Sequence, residues 1–155
     1  METLVPSSTC HHVIIRIPTA RPTEFIDVTD RIDQILGQTG IIYGIVNIQT
    51  LHTTTAVVVN EHEPLLLGDL QRTLERLVPD RPDYAHDDIE RRGMPPDEPR
   101  NAAAHCRALL LPASQSLIVR GGELQLGRWQ SLFLVELDGP REREVSIMVL
   151  GEACR

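Results

Sequence analysis

The chain of 155 residues has the length of one ordinary domain, and we treat residues 1–155 as a single unit. Its 41% hydrophobic, 24% charged and 3% aromatic residues indicate a globular protein with an aliphatic core. A formal net charge of −7 and a pI near 5.3 argue against binding to nucleic acid or to an anionic lipid surface. No stretch approaches the roughly 20 apolar residues of a membrane-spanning helix. The N-terminal residues contain neither a basic segment nor an apolar run, so we expect a cytoplasmic protein.

The first part of the chain is predicted to contain three strands and one helix. The runs His12–Ile17 and Glu24–Val28 predict an early antiparallel pair of strands. A helix is predicted to begin near Thr29 and to end at the glycines that follow it, because threonine caps helices and glycine ends them. The next run, Ile41–Ile48, is apolar on both faces and predicts a buried strand.

The stretch Leu51–Glu63 has β-branched residues between two polar ends. Threonine and valine favour the extended backbone, so the stretch predicts a strand. Because a short loop separates it from the preceding strand, we expect the two to be antiparallel neighbours. His52 and Asn60 would be roughly 27 Å apart on a continuous strand, too far to hold one small ligand. The two ends therefore serve different sites, or another subunit closes the gap.

A helix is predicted between Pro64 and Pro79, because leucines recur there at intervals of three and four residues. Asp69 lies off the leucine stripe, early in this helix. A solvated carboxylate and a functional group are equally good interpretations of it.

The segment from Pro79 to Arg100 mixes prolines with acidic residues, and we expect no core to form there. A segment of this kind in a compact domain is usually a functional loop or disordered. It contains His86 beside Tyr84, and we expect it to close over a site. Solvated charge is the simpler interpretation of Asp87 and Asp88.

Helical character returns over residues Asn101 to Leu111. Asn101 and His105 are four residues apart and so lie on one side of this helix. A histidine near apolar residues is more often a structural group than a ligand, since imidazole serves in either role.

The last part of the chain is predicted to be β. Gly121 and Gly122 stand between two short strands, a pair that favours a two-residue hairpin. Further strands are predicted over Ser131–Leu137 and Arg143–Leu150, with a turn at 138–140.

Glu136 falls on an apolar face of its predicted strand. A buried carboxylate needs a partner. Arg141 and Arg143 are the nearby candidates, so we expect an internal ion pair.

The three cysteines, Cys10, Cys106 and Cys154, are odd in number and lack C-x-x-C spacing, which fits reduced thiols in a cytosol. Cys10 with His11 and His12 has the residue types of a soft-metal site. A frayed polar lead-in is the simpler interpretation, because chain termini are often loose.

Several of these segments occur together in an order that is typical of one family. They are His52–Ala56, Asn60–Glu61, Asp69–Leu70, Tyr84–Asp87, Asn101–His105, Gly127–Gln130 and Glu136–Arg141. Any one of them is a weak signal, whereas the ordered set is specific. Over nearly its whole length the chain resembles the YjbQ-like family, often described as secondary thiamine-phosphate synthases.

The resemblance implies an α+β fold, in which a curved and largely antiparallel β-sheet packs with two or three helices, and a homotrimer. It also implies a pocket close to a subunit interface, where His52, His86 and His105 match the positions of metal ligands. The residues expected nearby are Asn60, Glu61 and Asp69. Three imidazoles suit zinc or another transition metal better than Mg²⁺, and leave a position open for water or a phosphate oxygen. The family often has a polar residue where this chain has Ala103, so one polar group of the family pattern is missing.

The family label implies an enzyme that joins a pyrimidine pyrophosphate to a thiazole phosphate and releases diphosphate. Diphosphate departure leaves a cationic pyrimidine methylene group, so the leaving oxygens need a metal or cations. Arg107 and Arg141 are the candidate cations. The other residues in the implied catalytic set are His52, Asn60, Glu61 and Asp69.

Two alternatives stay open. Imidazole ligands favour a transition metal, whereas diphosphate departure normally uses Mg²⁺ held by oxygens. This mismatch points to a metal-assisted hydrolase or transferase that acts on another small phosphorylated metabolite. The second alternative is a non-catalytic trimer that binds a metal or ligand, in which the histidines only support the interface.

Overall fold

The computed structural model describes residues 8–153, so Cys154 lies outside the described part. The elements in chain order are β1 Ser8–Pro18, β2 Glu24–Asp27, α1 Thr29–Thr39, β3 Ile41–Thr50, β4 Thr55–Glu61, α2 Pro64–Leu77, a 3₁₀ turn Ala85–Asp87, α3 Ile89–Arg92, α4 Ala102–Leu109, β5 Ser114–Arg120, β6 Glu123–Leu124, β7 Gln130–Glu136 and β8 Glu142–Ala153. None of the helices described is both long enough and apolar enough to span a bilayer.

The strands form two sheets in which every described pairing is antiparallel. The larger sheet has the order β1-β8-β3-β5-β6, and the smaller has the order β2-β7-β4. The predicted α+β class is confirmed. The hairpin at Gly121 and Gly122 is confirmed too, since Arg120 pairs with Glu123 and both glycines have positive φ.

Two predicted strand pairings are wrong. β1 pairs with β8 and β2 with β7, so the first two strands are not partners. β3 and β4 lie in different sheets, because the chain turns over residues 51–54 and crosses from one sheet to the other. β4 therefore begins at Thr55, and His52 lies in the turn before the strand rather than at its tip.

β7 holds the layers together. All residues from Leu132 to Leu137 are buried. Leu132 and Leu134 belong to the core that α1 shares with the larger sheet. Phe133 and Val135, on the opposite face, pack in a second core with residues of α2 and α4. β7 is thus buried on both faces, which explains its continuous apolar run.

The N-terminal histidines are part of the fold, so the predicted frayed lead-in is wrong. Cys10, His11 and His12 lie in β1 and pair along β8. Their side chains are exposed. Pairing with β8, a strand of 12 residues, orders this part of β1. The local sequence does not reveal this pairing, because β8 lies at the other end of the chain.

The segment from 79 to 100 is more structured than its composition predicts. Ile89 is buried, although it lies in neither of the two hydrophobic core clusters. The side chain of Asp87 accepts a hydrogen bond from the Ala102 backbone N–H at 3.0 Å. Tyr84 donates its hydroxyl to the Pro79 carbonyl at 2.9 Å. These contacts fix the 3₁₀ turn that carries His86 against the start of α4.

The predicted internal ion pair is present, and its partner is Arg143. Glu136 is completely buried and accepts from Arg143 Nε and Nη2, each at 2.6 Å. The Thr19 hydroxyl donates to the same carboxylate at 2.9 Å, and Arg143 also donates to Thr54 at 3.0 Å. Burial alone would raise the pKa of Glu136, but the hydrogen bonds and charge of Arg143 outweigh it and hold the pKa below its ordinary value.

We expect Arg143→Met to lower the free energy of unfolding by about 3–5 kcal/mol, because a buried carboxylate would lose its cation. The double variant Arg143→Met with Glu136→Leu should recover most of that loss. Since the folded-state pKa of Glu136 is lowered, its contribution is present above the unfolded pKa and is lost as the pH falls through the folded pKa. Urea denaturation from neutral to acidic pH measures both effects.

The control is Arg16→Met, which removes an exposed ion pair with Glu144 at 3.2 Å and should cost about 1 kcal/mol or less. If Arg143→Met proved no more damaging than Arg16→Met, the buried pair would not hold the fold together as we describe.

Candidate functional site

A cavity of about 370 Å³ opens where the segment that carries His86 meets the start of α4 and the turn after β7. We call it the histidine cavity. His86, Asn101 and His105 line it, with Thr53 and Thr54 from the turn before β4. Its charged lining residues are Arg92, Arg141, Arg143, Glu98 and Asp138. Arginines therefore outnumber carboxylates three to two in this lining.

The two histidine rings face each other edge to face, with 4.9 Å between their centroids and 71° between their planes. His86 comes from the 3₁₀ turn and His105 from α4, one helical turn after Asn101. Burial lowers the pKa of His105, and the neighbouring His86 lowers it further. The uncharged form of the His105 ring, which has a lone pair available to a ligand or a proton, is therefore favoured.

Asp138 positions two groups at the rim of the cavity. Its Oδ2 accepts from Asn101 Nδ2 at 2.7 Å and from Arg141 Nη2 at 2.8 Å. Arg141 Nε also donates to the Asp138 carbonyl at 2.8 Å. The turn after β7 thus fixes Arg141 beside Asn101 and the helix that bears His105.

Arg92 holds the loop side of the cavity. Its Nη1 donates to the His86 carbonyl at 2.9 Å, and its Nη2 lies 3.8 Å from Glu98. Arg143, another lining residue, is bound to Glu136 and donates to Thr54, so both of these lining side chains are held in place. Arginines therefore fix both the segment that carries His86 and the turn before β4.

His52 is partly buried, and its Nε2 accepts from the Glu144 backbone N–H at 2.7 Å. Burial lowers the pKa of His52, and the charge of Arg143 lowers it further. A neutral imidazole that accepts at Nε2 carries its proton on Nδ1, so neither nitrogen offers a free lone pair. His52 is not among the residues that line the histidine cavity. Its role as a third metal ligand stays a prediction, and it requires this hydrogen bond to break.

The polar residues Asn60, Glu61 and Asp69 are not brought to the histidine cavity within one chain. Asn60 and Glu61 are exposed at the end of β4. This strand has seven residues, so its two ends lie about 20 Å apart. Asp69 is exposed on α2, where it forms an ion pair with Arg72. Their predicted catalytic roles stay predictions that need a second chain or a large movement.

Arg141 lies in the histidine cavity, whereas Arg107 lies in a neighbouring one. Arg107 is buried on α4, and its Nε donates to the Val78 carbonyl at 2.9 Å. Ala103, the position where the family often has a polar residue, lines this neighbouring cavity too. The two predicted cations therefore do not converge on one group.

The donor types of the histidine pair fit a transition metal, because imidazole is a common ligand of zinc. Two histidines are too few to complete a metal site. Within residues 8–153 no group of three or more His, Cys, Asp or Glu side chains is arranged to hold a metal ion. His86 and His105 could supply two ligands, and the other positions would fall to water, a substrate oxygen or another chain.

Sequence reasoning did not assign Arg92, Asp138 or Arg143 to the site. Asp138 had a usable signal, since it begins the Asp-Gly-Pro turn directly after an apolar strand, and functional groups are often placed on loops. Arg143 was expected only as the partner of Glu136. For Arg92 the sequence carries no comparable signal, because its position depends on the fold of the segment around His86.

The comparisons with known proteins agree with this fold. The family model described as "UPF0047 protein YjbQ-like" matches residues 13–152. A UPF0047 protein of Methanothermobacter thermautotrophicus is 40% identical over 134 residues, which cover 86% of this chain and 87% of the relative. The UPF0047 protein YugU of Bacillus subtilis is 34% identical over 139 residues, which cover 88% and 97%.

The solved structures give the same result. A crystal structure of a YbjQ-like protein of unknown function from Sulfolobus solfataricus superimposes with a TM-score of 0.85 at 37% identity, covering 94% of this chain and all of the other. A YjbQ/UPF0047 protein from Clostridium acetobutylicum gives a TM-score of 0.78 at 30% identity, with coverage of 88% and 98%. The predicted fold, an α+β domain with a curled antiparallel sheet, is confirmed. The chain belongs to the YjbQ-like UPF0047 family.

Proposed function

We propose that the chain is an enzyme that binds a phosphorylated small molecule in the histidine cavity. The observation that carries this proposal is the state of the two rings. Within residues 8–153 neither the His86 ring nor the His105 ring is hydrogen-bonded to another protein group, although both line the cavity. Ring nitrogens without protein partners are available to a ligand, a metal or water. Two such rings in one cavity favour an enzyme, whereas in the interface alternative groups of a second chain would pair with them.

The cations of the cavity favour a phosphate group. Arg141 uses Nε and Nη2 on Asp138, and its Nη1 has no partner among the described residues. Arg92 lines the same cavity and has a long ion pair, of 3.8 Å, to Glu98. Guanidinium groups bind phosphate oxygens through charge-assisted hydrogen bonds. Arg141 is the better candidate to contact substrate, because its position is fixed by two hydrogen bonds.

The specific reaction we propose is the one that the family resemblance implies. The lone pair of the thiazole nitrogen forms a C–N bond to the pyrimidine methylene carbon, and the C–O bond breaks. Diphosphate leaves with the bonding electrons, and no proton has to move. The main demand on the protein is therefore to stabilise charge on the leaving oxygens, which Arg141 and Arg92 can meet. A bound divalent metal would supply Lewis acidity to the same oxygens.

A second candidate function is the hydrolysis of another phosphorylated metabolite. Neutral His105 favours it, because a free imidazole lone pair can accept a proton from water. The joining reaction needs no such base. The histidine pair thus has a direct chemical use in hydrolysis, whereas the arginines serve both reactions.

We also propose that the chain assembles as a homotrimer. The outer face of the larger sheet exposes a group of apolar side chains: Tyr43, Ile45, Ile118, Met148 and Leu150. Ile45 is paired with both Ile118 and Leu150, so these three lie side by side. A contiguous exposed apolar patch usually marks an interaction surface. A second copy covering this face would keep the patch from water.

The test of the joining reaction is a coupled assay for thiamine phosphate with both substrates and with Mg²⁺ or Zn²⁺. We expect product, and we expect Arg141→Met to lower kcat about 100-fold or more, as removal of one preorganised charge-stabilising donor does. Arg76→Met removes an exposed arginine of α2 and should leave the rate unchanged. If the wild type forms no product but hydrolyses a phosphate ester, and His105→Ala does not hydrolyse it, the second candidate replaces the first. Inactivity on both would contradict the proposed enzyme.

We expect protein purified without chelator to retain a divalent transition metal at pH 8, and His86→Ala and His105→Ala to lose it. Protonated imidazole cannot bind a metal, and the pKa of His105 is lowered, so occupancy should fall only as the pH drops below about 6.5. Elemental analysis at a series of pH values measures this. His11→Ala alters an exposed histidine of β1 and is the matched control. Equal metal content in His105→Ala and His11→Ala would count against a metal at the pair.

Sedimentation equilibrium at micromolar concentration should return three times 17.4 kDa. Ile45→Glu should dissociate the assembly, because it places a charge at the centre of the patch. Leu65→Glu alters a leucine that is 78% exposed on α2 and should leave the mass unchanged. A wild-type mass of 17.4 kDa would refute the trimer.

A further inference from the structure

A second cavity, of about 650 Å³, adjoins the histidine cavity and shares Asn101 and Asp138 with it. Four arginines line it: Arg21, Arg81, Arg100 and Arg107. We call it the arginine cavity. Its volume falls in the range of cavities that bind small molecules.

Arg107 has a buried nitrogen that makes no hydrogen bond, although it forms an ion pair with Asp80. Its side chain is 6% exposed, and its Nη2 is the one buried side-chain nitrogen or oxygen without a hydrogen bond in the part of the chain that the structure describes. The nearest carboxylate, Asp80, lies 3.4 Å away and is 82% exposed. A buried guanidinium N–H without an acceptor destabilises the fold. The arrangement is therefore suited to a ligand that supplies the acceptor.

Within residues 8–153 no acceptor is placed to form a hydrogen bond with Arg107 Nη2. One turn before Arg107 on the same face of α4 stands Ala103, which lines the cavity with a methyl group. Two carboxylates of the lining are already engaged. Asp87 accepts from the Ala102 backbone, and Asp138 accepts from Asn101 and from Arg141 outside this cavity.

We propose that the arginine cavity binds a small molecule through one oxyanion, a carboxylate or a phosphate ester, which accepts a hydrogen bond from Arg107 Nη2. Arg100 forms no ion pair within residues 8–153, and the ion pairs of Arg21 and Arg81 are long, at 3.6 Å each. These arginines can donate further hydrogen bonds to a ligand without breaking a short ion pair. Four carboxylates also line the cavity, Glu75, Asp80, Asp87 and Asp138, so the lining carries no net charge and suits a single oxyanion rather than a polyanion. The proposal does not rest on the reaction proposed for the histidine cavity.

The experiment follows thermal unfolding of the full chain during titration with sodium phosphate or sodium acetate, at an ionic strength held constant with sodium chloride. A ligand that binds the folded state raises the Tm in a saturable way. We expect a saturable rise with at least one of the two anions, and the anion that gives it identifies the oxyanion as phosphate or carboxylate. Ala103→Asp keeps Arg107 but places a carboxylate one turn away, so it should abolish the rise. Arg107→Met should abolish it as well.

Two controls separate this site from other effects. Arg76→Met removes an exposed cation of α2 outside the cavity and should keep the full rise. His105→Ala alters the histidine cavity and should also keep the full rise in Tm. If the rise is lost in His105→Ala but kept in Ala103→Asp, the anion binds at the histidines and the proposal is wrong. A saturable rise with neither anion would also overturn it. If Arg107→Met fails to fold, Ala103→Asp decides the question alone.

Discussion

The buried pair of Glu136 and Arg143 is the interaction on which the candidate site depends. Glu136 belongs to β7 in the smaller sheet and Arg143 to β8 in the larger, so the pair joins the two sheets. A buried ion pair is tolerated only when its remaining hydrogen-bonding capacity is satisfied. Here the carboxylate also accepts from Thr19 and from the backbone of Leu137 and Asp138. The last two bonds set the direction in which the chain leaves β7.

The direction in which the chain leaves β7 sets the position of both cavities, because the turn after β7 meets α4. Asp138 binds Asn101 at the start of the helix, and the helix then presents opposite faces to the two cavities. Successive residues are about 100° apart around a helix, so His105 and Arg107 differ by about 200°. His105 therefore faces the histidine cavity, while Arg107, with Ala103 one turn earlier, faces the arginine cavity. A helix of eight residues thus lines two cavities.

The sequence predicted features that depend on local chemistry and missed those that depend on distant contacts. The hairpin at 121–122, the leucine-rich helix and the need of Glu136 for an arginine all follow from neighbouring residues. Strand pairing does not, because alternation shows which face of a strand is buried and not which strand lies beside it. The approach of His86 to His105 was implied by family resemblance rather than by spacing. The burial of Arg107 was not predictable, since arginine is almost never fully buried unless it is paired.

The location of unpaired groups is the strongest argument that α4 is functional. Elsewhere in the described chain, buried polar groups are well satisfied, as the contacts of Glu136 show. Among the described residues the one buried side-chain nitrogen or oxygen without a hydrogen bond is Arg107 Nη2, which lies on α4. The rings of His86 and His105, which make no hydrogen bond to the described protein, lie against or on the same helix. A buried donor without an acceptor reduces stability, so Arg107 Nη2 is a feature of the fold that a bound acceptor would satisfy. Because the histidine pair lies against the same helix, both proposals place their ligands beside α4.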